Sequence, residues 1–150
     1  MTKSLEERLD LIQTEIKKSS FRANKGLGNE VGYYVFDYPA EEELRVREHV
    51  KYLKRKNNPD LDGFELKVYD VYDIMLDFIE SEGLLEACYE MEVEDGMDYL
   101  VESVSALLEM NEDHNYFSRY IEENTTEDAV VFIVGIGKIL PFVRSHKILN

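Results

Sequence analysis

The chain has no tryptophan, one cysteine, three prolines and three histidines among its 150 residues. A lone Cys88 excludes an internal disulfide, and its place among Leu84, Leu85 and Met91 predicts a buried thiol in a reducing compartment. His49, His114 and His146 show no pairing at metal-ligand spacing. The longest apolar run, residues 129–134, is far below the roughly 20 residues that a membrane-spanning helix needs. The opening MTKSLEERLD has no apolar signal core. Together these absences predict a cytoplasmic protein.

Basic residues are scarce where acids are dense. Residues 61–128 hold 21 Asp and Glu against Lys67 and Arg119, and the whole chain carries a formal net charge of −15. Such a middle repels phosphate backbones, so direct nucleic-acid binding is not expected. Basic side chains gather only toward the ends, where Lys17, Lys18, Arg22 and Lys25 suggest a small cluster. The acids themselves read first as solvated helix faces.

What is present is a soluble globular composition, with 44% hydrophobic and 33% charged residues. The length suits one domain with a real core. Ser4 and Glu7 form a capping-box pattern, and Leu5, Leu9, Ile12 and Ile16 then make a narrow stripe on a first helix. Gly26 and Gly28 break it within NKGLGNE. VGYYVF, residues 31–36, predicts a strand buried on both faces at the centre of a sheet. Pro39 is placed at the first position of a helix with Asp37 as cap, acids at its start and Lys51, Lys54, Arg55 and Lys56 at its end. Glu41 with Arg45 and Glu43 with Arg47 are expected pairs along it. NNPDLDG makes a loop.

FELKVYD alternates Phe64, Leu66 and Val68 against Glu65, Lys67 and Tyr69, the pattern of a strand nearer an edge. Asp70 then caps a helix running to Gly83, and two or three further helices fill residues 84–123 with breaks near Gly96 and Asn111. A third strand is predicted over residues 129–134. Strands alternating with helices argue for an α/β fold with a small, mainly parallel sheet of about three strands and flanking helices. The acidic helices of residues 71–126 are an insertion within a single domain spanning 1–150.

Few arrangements carry chemistry. Gly135-Ile136-Gly137-Lys138 follows a strand as a phosphate loop would, but a Walker loop needs four residues before its Gly-Lys and a Ser or Thr after it. Ile139 and Leu140 follow instead, and the third glycine of a dinucleotide fingerprint is also replaced by Leu140. The corner reads as a tight turn before a helix opening near Pro141. Lys138, Arg144, Ser145 and His146 lie close to the strand's carboxyl end, where an anion or acidic partner could dock. NKGLGNE precedes its strand, the wrong end for a phosphate loop, and reads as a turn or contact surface. Asp70, Asp73 and Asp77 share a helix face that could hold a hard cation, but capping explains them better. Ser145 beside His146 is no triad, since neighbours on a helix point apart. No metal, cofactor or catalytic residue is expected.

FRANKGLGNEVGYYVFDYPAEEELRVREHVKYLKRK and VVFIVGIGKILPFVRSHKILN resemble the two signature regions of the BrxB family of bacteriophage exclusion (BREX) defence systems. The resemblance extends to the first helix and to FELKVYDVYD, and is loose over residues 82–126. It implies a cytoplasmic defence protein with a Rossmann-like or truncated AAA-like core, acting inside a multiprotein complex, and it supplies no established catalytic residues to carry over. The implied direct partner is a PglZ-like subunit. Family members continue past SHKILN with another strand, so an open sheet edge is expected here. The expected role is therefore a non-enzymatic adaptor. The alternative is a nucleotide- or anion-binding regulator using the corner from Gly135 to Lys138. The candidate interaction residues are Leu5, Leu9, Ile12 and Ile16 on the first helix, Asn24, Lys25, Gly26 and Gly28, and Gly135, Gly137, Lys138, Arg144 and His146.

Overall fold

The computed structural model describes residues 3–22, 34–139 and 142–143. The chain divides into two compact units, residues 1–67 with 127–131 and residues 68–126 with 132–150. It is mixed α/β, mostly helical, with a two-stranded parallel sheet. Among the described residues no helix is long and apolar enough to cross a membrane.

In the first unit, α1 (Leu5–Ile16) begins where the sequence predicts: Ser4 Oγ accepts from the Glu7 amide at 3.2 Å. A short α2 (Ser19–Arg22) follows. A 3₁₀ turn, Ala40–Glu42, leads into α3 (Glu43–Lys56). Pro39 therefore precedes the helical turn as its cap residue instead of opening it, and Asp37 does not cap but pairs with Arg8 at 2.9 Å. Glu43 and Arg47 pair at 3.0 Å as expected. Arg45 reaches Glu42 and, on α1, Glu6, instead of the expected Glu41. The stripe on α1 packs against α3. Leu9, Ile16, Val46, Leu53, Phe64 and Leu66 form the buried core of this unit.

The chain after α3 is tied down by one asparagine. Asn57 donates to the Phe64 carbonyl at 3.0 Å and accepts from the Leu66 amide at 2.8 Å. Within the expected loop lies a single turn, α4 (Pro59–Asp62), with Pro59 at its first position and Gly63 left-handed behind it at φ +79°. Lys54 Nζ donates to the Leu66 carbonyl at 2.6 Å. The small hollow beside Asn57 is about 30 Å³, room for about one water and no ligand.

The sheet is formed by β1 (Leu66–Asp70) and β2 (Val130–Val134). The Val130 amide donates to the Glu65 carbonyl at 2.9 Å. The expected three-stranded, Rossmann-like sheet is thus two strands among the described residues. Of the strand expected over residues 31–36, residues 31–33 lie outside the described part. Tyr34 to Phe36 are not strand: Tyr34 and Val35 are 71% and 85% exposed. Tyr34 stacks on Phe21 with ring centroids 4.6 Å apart, and Arg8 lies over Phe36 at 4.5 Å. β propensity describes side chains that suit a pleated, half-covered surface, and here the rings found helical partners instead. In β2 Val130 is buried and residues 131–134 are half-covered.

In the second unit, α5 (Val71–Ser81), α6 (Leu85–Asp95), α7 (Met97–Leu107) and α8 (Tyr116–Asn124) occupy the acidic stretch, broken at Gly83, Gly96 and the turn through Asn111. The breaks follow the sequence. Gly83 and Gly96 take φ of +71° and +90°, which side chains with a Cβ resist. Val71, Ile74, Met75, Ile79, Leu100, Val104, Leu108 and Phe117 form this unit's core. Asn115, only 1% exposed, caps α8 by accepting from the Ser118 amide at 3.1 Å. Phe78 stacks on Tyr116 at 4.1 Å. Two expectations are reversed here. Tyr69 is buried while Val68 is half-exposed, because the Tyr69 hydroxyl bonds Thr125 and its ring meets Tyr120 edge-on. Cys88 is half-buried, and what burial it has pushes its thiol pKa up, away from reactivity.

Candidate functional site

The carboxyl ends of the strands are where an α/β sheet would hold a ligand. Asp70 ends β1 and caps α5, its Oδ1 accepting from the amides of Tyr72 at 3.0 Å and Asp73 at 3.2 Å. Gly135 directly follows β2 and turns with φ +80° into α9 (Ile136–Ile139). The helical turn therefore starts at Ile136, inside the stretch expected to be a turn; Pro141 lies outside the described residues. A Cβ placed on Gly135 would lie 3.0 Å from Asp70 Cγ and closer still to its Oδ1. The glycine makes room for the chain's own carboxylate.

That arrangement sets the electrostatics of the corner. The amides that open α5 are already satisfied by an anion belonging to the protein. A phosphate brought to the same place would meet the Asp70 charge at close range. Among the described residues no contact within 4 Å of the position a Cβ would take selects glycine at Gly137. Lys138 is exposed on α9. Arg144 and His146 lie outside the described residues, as do Asn24, Lys25, Gly26 and Gly28. Among the described residues no three His, Cys, Asp or Glu side chains converge as a metal site.

The other expected surfaces fare differently. On α1, Leu9 and Ile16 are each 5% exposed and Leu5 and Ile12 half-buried, so most of the stripe is covered by its own unit. Beside it Glu6, Leu9, Leu44, Arg45, Glu48 and His49 line an open groove. His49 Nε2 is buried there without a hydrogen-bond partner among the described residues. The basic cluster is partly spent internally. Lys18 pairs with Glu15 at 2.7 Å, and Arg22 donates to the Ile16 and Lys17 carbonyls while lying over Phe64.

Residue patterning did not single out α6. It buries no residue fully, and Tyr89 and Val93 are 60% and 86% exposed. The signal was present as apolar residues pointing both ways around one helix. It was masked by the surrounding acids, which read as an ordinary solvated face.

Comparison with known proteins decides the family. Residues 67–150 match the family described as BREX protein BrxB. The chain belongs to the BrxB family. A BREX protein BrxB of Bacillus cereus (strain H3081.97) is 37% identical over 146 residues, covering 97% of this chain and 76% of that protein. A BREX protein BrxB of Escherichia coli O9:H4 (strain HS) is 34% identical over 146 residues, covering 97% and 70%. No solved structure gives a significant match. The resemblance carried by the two signature segments is thereby established, and with it a place in BREX anti-phage defence. The match runs through the acidic helices, where the resemblance was loose.

Proposed function

We propose that this BrxB-family chain is a non-enzymatic adaptor in the cytoplasm, which joins a multi-subunit BREX assembly by binding a PglZ-like subunit. The observation that carries the reading is the Asp70 carboxylate against Gly135. It occupies the corner in which an α/β enzyme or nucleotide binder of this layout would hold its ligand. The exposed apolar side chains of the acidic helices supply the kind of surface an adaptor uses. The regulator reading, with an anion held between Gly135 and Lys138, is opposed by that same carboxylate.

The test is co-expression with the PglZ-like subunit of the same defence system, followed by affinity purification through this chain. Retention of that subunit through washing at micromolar concentration is the expected result. Its loss would remove the adaptor reading. Turnover of ATP or GTP above a blank, abolished by Lys138→Ala, would replace it with the nucleotide alternative.

A further inference from the structure

The helix α6 has two unlike sides. Leu85, Cys88 and Met91 recur three residues apart and are its half-buried positions, so they mark the inner side. Tyr89 and Val93 continue the four-residue row that starts at Leu85 but wind away from the inner side, and stand 60% and 86% exposed. Alongside them Glu86, Glu90 and Glu94 form a row at the same spacing, all exposed. Like charges at four-residue spacing repel, so this row weakens the isolated helix. Between Lys67 and Arg119 the sequence contains no lysine or arginine, so α6 has no nearby cation in sequence to offset it.

We propose that the outer side of α6 is a docking surface for a basic amphipathic helix of a partner protein. Tyr89 and Val93 would receive its apolar anchors, and the glutamate row would face its lysines or arginines. Charge decides among occupants. A nucleic acid or an anionic membrane surface would be repelled by this face. A second copy of the chain would bring the same acids together. A cationic helix relieves the repulsion and covers the apolar pair in one step. The setting, though not the chemistry, rests on the adaptor reading.

The probe is a synthetic amphipathic peptide with leucines at helical spacing flanked by lysines, titrated into the full chain at near-physiological salt. Two control peptides replace its leucines by glutamine or its lysines by glutamate. Binding of the parent peptide and of neither control is expected. Tyr89→Ser with Val93→Ser should weaken binding at least about tenfold, a loss of about 1.4 kcal/mol. Both positions are exposed, so circular dichroism should report an unchanged fold. Glu86→Gln, Glu90→Gln and Glu94→Gln together should weaken binding and flatten its salt dependence. Failure of the parent peptide to bind, equal binding by the glutamine control, or wild-type affinity in either variant would overturn the proposal. Co-purification separates this from the adaptor reading. If the serine variant retains the PglZ-like subunit as the wild type does, the adaptor stands and α6 is not its contact.

Discussion

Gly135 lies against the carboxylate of Asp70, so that the end of one strand is packed on the helix cap that follows the other. Two demands meet at the glycine: a left-handed φ of +80° and no room for a Cβ. Gly135→Ala should therefore cost about 3 kcal/mol or more, combining left-handed strain with overpacking. Gly83 is the control, because its φ is +71° but none of the described residues comes within 4 Å of the position a Cβ would take. Gly83→Ala should cost about 1 kcal/mol. Adding Asp70→Ala to Gly135→Ala should cost less than the two single changes together, since the clash partner is gone. Urea denaturation of the four variants measures this, and equal losses at Gly83 and Gly135 would contradict it.

Asn57 joins the end of α3 to the segment leading into β1 by bonds to Phe64 and Leu66, and it also reaches Asp62 at 3.3 Å. Asn57→Ala leaves a backbone donor and acceptor near the buried Phe64 and Leu66 without that partner. A loss of about 1–3 kcal/mol is expected. Faster hydrogen exchange at the Leu66 amide would locate the effect. Unchanged protection there would show that the Asn57 side chain does not hold this amide.

Leu9 belongs to the core of its own unit. Leu9→Glu places an unpaired charge at a site only 5% exposed and should destabilise by about 3 kcal/mol or more. Ile12→Glu, at a half-buried position, should cost about 1 kcal/mol. Thermal unfolding of the two single variants checks the order. A loss of partner binding in a Leu9 variant would therefore report on folding before it reported on contact.

Tyr38 donates its hydroxyl to Glu43 at 2.6 Å. Burial, and then that hydrogen bond, push its pKa from 10.0 to about 12. The folded state thus holds its proton more tightly than the unfolded chain. The stability this confers is complete below about pH 10 and declines as pH rises from 10 toward 12. Across that window the wild type should lose stability relative to Tyr38→Phe, which has no proton to release. Paired denaturation curves at pH 8 and at pH 11 measure the difference. A gap between the two proteins that does not change with pH would refute the assignment.

Much of the local architecture was legible. Ser4, Asp70, Gly83 and Gly96 act within a few residues of their own position, through caps and backbone angles, so their roles could be read without knowing the fold. The strand Val130–Val134 was visible as a dense run of β-branched residues. Of the aromatic-rich run over residues 31–36, the described part, Tyr34 to Phe36, misled because the same side chains serve a sheet or a helical surface equally well. At the candidate site the Gly-Ile-Gly-Lys pattern drew attention to the right corner, while nothing in the spacing disclosed that a carboxylate from the other strand fills it.

The amino-acid sequence by itself determined the family, the acidic middle, and the starts and stops of most helices. These depend on composition and on hydrogen bonds between near neighbours. Only the tertiary structure decided that Tyr69 turns inward to Thr125, that Leu9 and Ile16 are covered, that Asp70 meets Gly135, and that Tyr89 and Val93 are left outside. Each of these depends on which distant surface arrives to exclude water. Burial is a property of such pairs of surfaces, and a side chain carries no local mark of whether its partner will come.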